Sequence, residues 1–216
     1  WIWDCKKSNR REDRKYKDLY KFLRHGRRRF NRGNYKNTRG LIKDRVSIEE
    51  RPEIVKGRTR LGDIEVDLMM GKDHASALLV MTDRSTLITT LDLLESKESK
   101  LVQEKINDRL SRIGKSWIKT MTFDNGKEFA GHKAIAEKHA VKTFFTRPYT
   151  SQDKGTVENR IGLIRRFLPK KTDLNLISQS RIKEIESLIN NRRVRKFGYI
   201  SPIEKLKSTW QVAFIT

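Results

Sequence analysis

The order of hydrophobic periods between residues 61 and 168 constrains the fold more than any other feature of the sequence. "LGDIEVDLMMG" (61–71) alternates and then runs apolar, as a strand ending in a buried patch does. "SALLVMTDR" (76–84) and "TLITTLDLL" (86–94) are rich in β-branched and aliphatic residues, with Asp83-Arg84-Ser85-Thr86 as the turn between two further strands. A helix then opens at Ser96 and places Val102, Ile106, Leu110 and Ile113 on one face before Gly114. "WIKTMTFDNG" (117–126) is a strand stopped by Asn-Gly, 132–139 a short helix and 141–146 a fifth strand. Val157, Ile161, Ile164 and Leu168 complete the series with an amphipathic helix over 154–168. The order β-β-β-α-β-α-β-α predicts an α/β fold, with a mixed five-stranded sheet covered by helices on both faces.

Charge sets the partner class. The 216 residues carry 49 Lys and Arg against 27 Asp and Glu, a formal net charge of +22. Such an excess draws in phosphate backbones, so nucleic acid is the expected partner. An anionic membrane fits less well, because no basic stretch is paired with a broad apolar face and no apolar run approaches 18 residues. Cys5 is the sole cysteine, which excludes a disulfide framework and a thiolate zinc site.

Residues 1–60 hold 21 Lys and Arg and 8 Asp and Glu, with Tyr16, Tyr20, Phe22, Phe30 and Tyr35 interleaved. The chain reads as a basic N-terminal arm over 1–57, a core over 58–208 and a tail over 209–216. Tyr16, Leu19, Tyr20 and Leu23 have helical spacing, which predicts a short helix over 12–25 ahead of a Gly-rich basic run. That arm is read as following a DNA backbone, Arg27, Arg28 and Arg29 among its contacts, rather than as a solvated linker. The start on Trp1-Ile2-Trp3, with no signal-peptide pattern, reads as a portion of a longer cytosolic protein with a domain upstream.

Three carboxylates stand out on this scaffold. Asp67 lies in an otherwise apolar strand, where a buried charge needs a partner. Asp124 closes the fourth strand, where functional groups of α/β sheets gather. Glu158 sits one residue off the apolar stripe of the last helix, among Lys154, Arg160, Arg165, Arg166, Lys170 and Lys171. Three hard oxygen donors with no paired His suit Mg²⁺ or Mn²⁺. Two such ions would activate a water or a 3′-hydroxyl for in-line attack on a phosphodiester. Taken singly, Asp67 could pair with a lysine, Asp124 could merely start a turn and Glu158 could be a solvated residue. His74, His132 and His139 lack metal-ligand spacing and are read as surface residues.

Asp124 and Glu158 are separated by 33 residues. Around them stand "RVSIEERPEIVKGRTRLGDIEVDLMMGK" (45–72), "MTFDNGKEF" (121–129), "RPYTSQDKGTVENRIGLIRRFLPKKTDL" (147–174) and "NNRRVRKFGYISPIEKL" (190–206). These blocks resemble the IS-thirty (insertion sequence thirty) family of bacterial DDE transposases, whose catalytic core is RNase H-like, as in integrases. Ile64 and Val66 stand where the family usually has Trp and Gly, and Arg193 where Pro is common. The resemblance implies that Asp67 bridges two metal ions while Asp124 and Glu158 each hold one. It also sets aside the neighbouring acids Asp63, Glu65 and Glu128. Asn125 and Asn159 would orient substrate or a ligand, and Lys154, Arg160, Arg165, Arg166, Lys170 and Lys171 would meet phosphates. It further implies cleavage at element ends, transfer of the 3′-hydroxyl into double-stranded DNA, a homodimer on paired ends, and a place on the bacterial nucleoid. A nuclease without strand transfer and a silent DNA-binding derivative are the rivals.

Overall fold

The computed structural model describes residues 1–22, 42–113, 117–148 and 150–213. The chain divides into two compact units, Trp1–Gly40 and Leu41–Thr216. In the smaller unit, helix α1 (Ile2–Lys7) is followed by 3₁₀ segments at Arg11–Tyr16 and Leu19–Phe22. The helix expected over 12–25 is thus replaced by short 3₁₀ pieces as far as residue 22. Within that span Arg14, Lys17 and Lys21 would repel one another at i, i+3 and i, i+4 spacing in an α-helix. The Trp1 and Tyr16 rings pack 5.1 Å apart, and Lys6 Nζ lies 3.7 Å from the centre of the Tyr20 ring.

The larger unit begins well before residue 58. Ile42, Ile48 and Val55 are buried in it, so the division falls at 40/41 and not at 57. A 3₁₀ turn (Ile48–Glu50), capped by Ser47, and the single turn α2 (Ile54–Gly57) lead into strand β1 (Asp63–Met70). Then follow β2 (Ala77–Asp83), β3 (Thr89–Leu94), α3 (Ser99–Ile113), β4 (Thr120–Phe123), α4 (His132–His139), β5 (Lys142–Phe145) and α5 (Gly155–Ile164). Two further helices, α6 (Gln179–Asn191) and α7 (Pro202–Ala213), end the unit. This is the element order that the hydrophobic periods predict.

The sheet runs β3-β2-β1-β4-β5, with β1–β2 and β2–β3 antiparallel and β1–β4 and β4–β5 parallel. Pleating sends alternate side chains to opposite faces. On one face Val66, Leu79, Met81, Met121 and Phe123 pack with Val102, Ile106 and Leu110 of α3 and Ile135 of α4. On the other, Met69, Leu78, Val80 and Leu91 pack with Val157 and Ile164 of α5 and Ile182, Ile185 and Ile189 of α6. The apolar pattern of 154–168 outlasts its helix. α5 stops at Ile164, and a turn closed by the Leu168 N–H on the Ile164 carbonyl (2.9 Å) keeps Leu168 buried.

His132 and His139 are buried, contrary to the surface reading. The His132 ring bridges Thr143 Oγ1 and the Lys43 carbonyl, each at 3.0 Å, and His139 Nε2 meets Asn107 Oδ1 at 2.9 Å. Both face inward from α4, a side that the short helical pattern did not resolve. Among the described residues no helix is long and apolar enough to cross a membrane.

Candidate active site

Parallel pairing of β1 with β4 builds the site. Its register matches Asp63 with Thr120 and Glu65 with Thr122; carried two residues further, the same register would set Asp67 opposite Asp124, just past the end of β4. Neighbouring strands lie about 4.8 Å apart, so the two carboxylates share one patch on the sheet face that α5 covers. Lys154, at the residue preceding α5, reaches into that patch. Its Nζ lies 3.1 Å from Asp67 Oδ1, 3.3 Å from Asp124 Oδ2 and 3.2 Å from the Val66 carbonyl that accepts its proton. Glu158 follows four residues later, one helical turn along.

The electrostatics show how crowded this patch is. Burial pushes the Asp67 carboxyl above its usual value; Lys154 opposes the rise, and the charge of Asp124 adds to it. Glu158 is raised too, first by desolvation and then by the charge of Asp67. Asp67 thus answers to Asp124, Glu158 answers to Asp67, and one ammonium serves two of the three acids. Among the described residues no three or more His, Cys, Asp or Glu groups are gathered closely enough to hold a metal ion outright. The donors nonetheless suit a hard cation: Asp67 and Asp124 already share a positive charge, and Glu158 is within electrostatic reach of Asp67.

Several residues expected to grip phosphates do other work. Lys154 is buried and committed to the two aspartates. Arg160 is buried as well, giving Nε to Thr89 Oγ1 (3.0 Å) and Nη2 to the Leu87 carbonyl (2.7 Å). Desolvation, with Arg192 nearby, brings its guanidinium down to about 10. A two-residue step within α5, about 200° of rotation, turns Arg160 away from the face of Glu158 and onto β3. Arg165 ties the end of α5 to β1 by donating to the Met70 carbonyl at 2.8 Å. Arg166, Lys170 and Lys171 are exposed, as is Asn159, while Arg27, Arg28 and Arg29 lie outside the described residues. Asn125 accepts from Arg45 Nη1 and donates to the Thr146 carbonyl at 2.7 Å, fixing the loop after Asp124.

One acid set aside in the sequence takes a structural part. Glu65 is wholly buried on the same strand face as Asp67 and binds Arg84 and the Val157 N–H. Its signal was already present in the i, i+2 spacing from Asp67, which puts both carboxylates on one face of β1.

Comparison with known proteins fits this geometry. The chain is 42% identical over 208 residues to the transposase for insertion sequence element IS4351 of Bacteroides fragilis, covering 96% of this chain and 61% of that protein. It is 32% identical over 184 residues to the transposase InsI for insertion sequence element IS30A of Escherichia coli strain K12, covering 84% and 47%. By sequence the chain belongs with the IS30-family transposases. It spans about half to three-fifths of the length of these relatives. No family model matches it. In fold, it superimposes on the catalytic core domain of BIV integrase with a TM-score of 0.54 at 13% identity, covering 71% of this chain and 98% of that one. The five-stranded sheet and its helices are thus RNase H-like, as in integrase cores.

Proposed function

We propose that this IS30-family chain carries the catalytic centre of a DNA transposase. It would cut a strand at an insertion-sequence end and join the exposed 3′-hydroxyl to another phosphodiester. The observation carrying this reading is the single ammonium shared by Asp67 and Asp124, with Glu158 one helical turn beyond it. Two Mg²⁺ or Mn²⁺ ions, when bound, supply a deprotonated water or 3′-hydroxyl and neutralise the leaving oxygen. Asp67 and Asp124, which share one ammonium, would hold these ions together with Glu158. The exposed Arg166, Lys170 and Lys171 beyond α5 meet DNA phosphates, and Arg27, Arg28 and Arg29 do so from the basic arm. Asn125 holds the loop that carries Asp124, and Asn159 lies open to substrate.

Double-stranded DNA is the partner, both as element ends and as target. A homodimer pairs two ends, and the protein works in the bacterial cytoplasm, on the nucleoid. The test is joining of a pre-cleaved element end to target DNA with Mg²⁺. Asp124→Asn, verified as folded, is expected to lose joining by several orders of magnitude; joining at the unmodified rate overturns the reading.

A further inference from the structure

Strand β1 carries two carboxylates toward α5. Glu65, two residues before Asp67, is fully buried. One of its oxygens, Oε2, accepts the Val157 N–H at 2.8 Å, and the other accepts from Arg84 Nη1. Val157 is the third residue of α5, one of the first-turn amides that a helix leaves without an internal acceptor. The residue preceding the helix, Lys154, contributes no side-chain cap, because an ammonium only donates and this one is held by Asp67 and Asp124. Glu65 therefore does from a neighbouring strand what a capping residue does locally, and its charge suits the positive end of the helix. Arg84 is anchored in turn: its Nε donates to the Val55 carbonyl at 3.3 Å and its backbone N–H to the Asp63 carbonyl at 2.9 Å.

Val157 immediately precedes Glu158. We infer that Glu65, held by Arg84, is a positioning residue that fixes the first turn of α5 against β1 and so sets Glu158 relative to Asp67. This rests on the reading of Asp67, Asp124 and Glu158 as the metal-holding acids. A buried ion pair needed only for stability could satisfy its second oxygen anywhere. Here that oxygen ties the helix of one active-site acid to the strand of another. One rigid element thereby places both, which a two-residue step along a strand does with little slack.

The test uses the full chain with Glu65→Asp, which keeps the charge but shortens the reach by one methylene, and Arg84→Lys, which loses the fork. Both are checked for folding by melting temperature. The expected result is a loss of about 10- to 100-fold in Mn²⁺ affinity by calorimetry, as for other groups that orient metal ligands. The single-turnover joining rate falls in step, the half-saturating DNA concentration holds, and the Val157 amide exchanges faster. A folded Glu65→Asp protein with unchanged Mn²⁺ affinity and an equally protected Val157 amide overturns the inference. If the unaltered protein itself takes up no Mn²⁺, the reading of the three acids fails instead. Val157 protection in the two variants then still decides whether Glu65 fixes the helix.

Discussion

Lys154 differs most between sequence and structure. In a chain so basic, a lysine beside Glu158 reads as one more phosphate contact, because nothing local marks which way it turns. The structure buries it between Asp67 and Asp124, an arrangement set by parallel pairing of strands more than fifty residues apart. Asp67 was legible because a carboxylate inside an apolar strand must be partnered. Lys154→Met leaves the two aspartates facing each other, so the variant should melt lower in the absence of divalent ions. The cost should fall below the roughly 3–5 kcal/mol of a fully buried pair, since the Asp67 and Asp124 side chains keep 20% and 40% exposure. Adding Mg²⁺ should raise the melting temperature of Lys154→Met more than that of the unaltered protein; an equal rise would count against a shared cation site. Arg160 makes the same point: its burial on β3 depends on where α5 lies across the sheet, which helical spacing alone does not tell.

Strands and helices were legible wherever the apolar period was clean; the ties across the sheet edges were not. Edge strands expose unpaired backbone groups that invite aggregation. Here β3 is closed by α6: Asn190 Oδ1 accepts the Thr89 N–H at 2.9 Å, Asn190 Nδ2 donates to the Thr89 carbonyl at 2.7 Å, and Glu186 Oε2 accepts the Leu91 N–H at 2.7 Å. At the opposite edge the Phe145 N–H donates to the Val46 carbonyl at 2.9 Å, which draws residues 42–57 into the core unit. A composition break near residue 57 could not reveal a strap held by backbone. Asn190→Ala should cost about 1–3 kcal/mol in denaturant unfolding, as a buried strand N–H loses its acceptor. Burial raises the Glu186 carboxyl above the ordinary 4.5, against the Leu91 N–H and Arg109. A raised value favours the protonated native state, so this contribution is present below pH 4.5 and is lost as pH climbs through the folded value. Glu186→Gln, which keeps an acceptor for Leu91, should therefore melt higher than the unaltered protein at pH 7 and equally at pH 4. Gly162, four residues beyond Glu158, is exposed, and a methyl group there would meet nothing within 4 Å. Gly162→Ala should then stabilise the fold by roughly 0.5–1 kcal/mol while slowing DNA joining, if a DNA backbone approaches that face. Unchanged joining would place the DNA elsewhere.

Across the whole sequence, positive charge is densest at the start. Residues 1–40, the smaller compact unit, hold fifteen Lys and Arg against four Asp and Glu, while the three acids all sit in Leu41–Thr216. On the proposed reading solvation divides the labour: cations that grip phosphate would work at the surface, whereas carboxylates that hold a metal would need a partly dry patch on a rigid sheet. The account stands or falls on that patch. A crystal structure of the protein with a pre-cleaved DNA end and Mn²⁺, read by anomalous scattering, tests it most directly. The account predicts manganese between Asp67 and Asp124, Glu158 within about 2.2 Å of a metal, and Lys154 displaced from the pair. Manganese bound away from these carboxylates, or Lys154 still bridging them beside bound DNA, would contradict it.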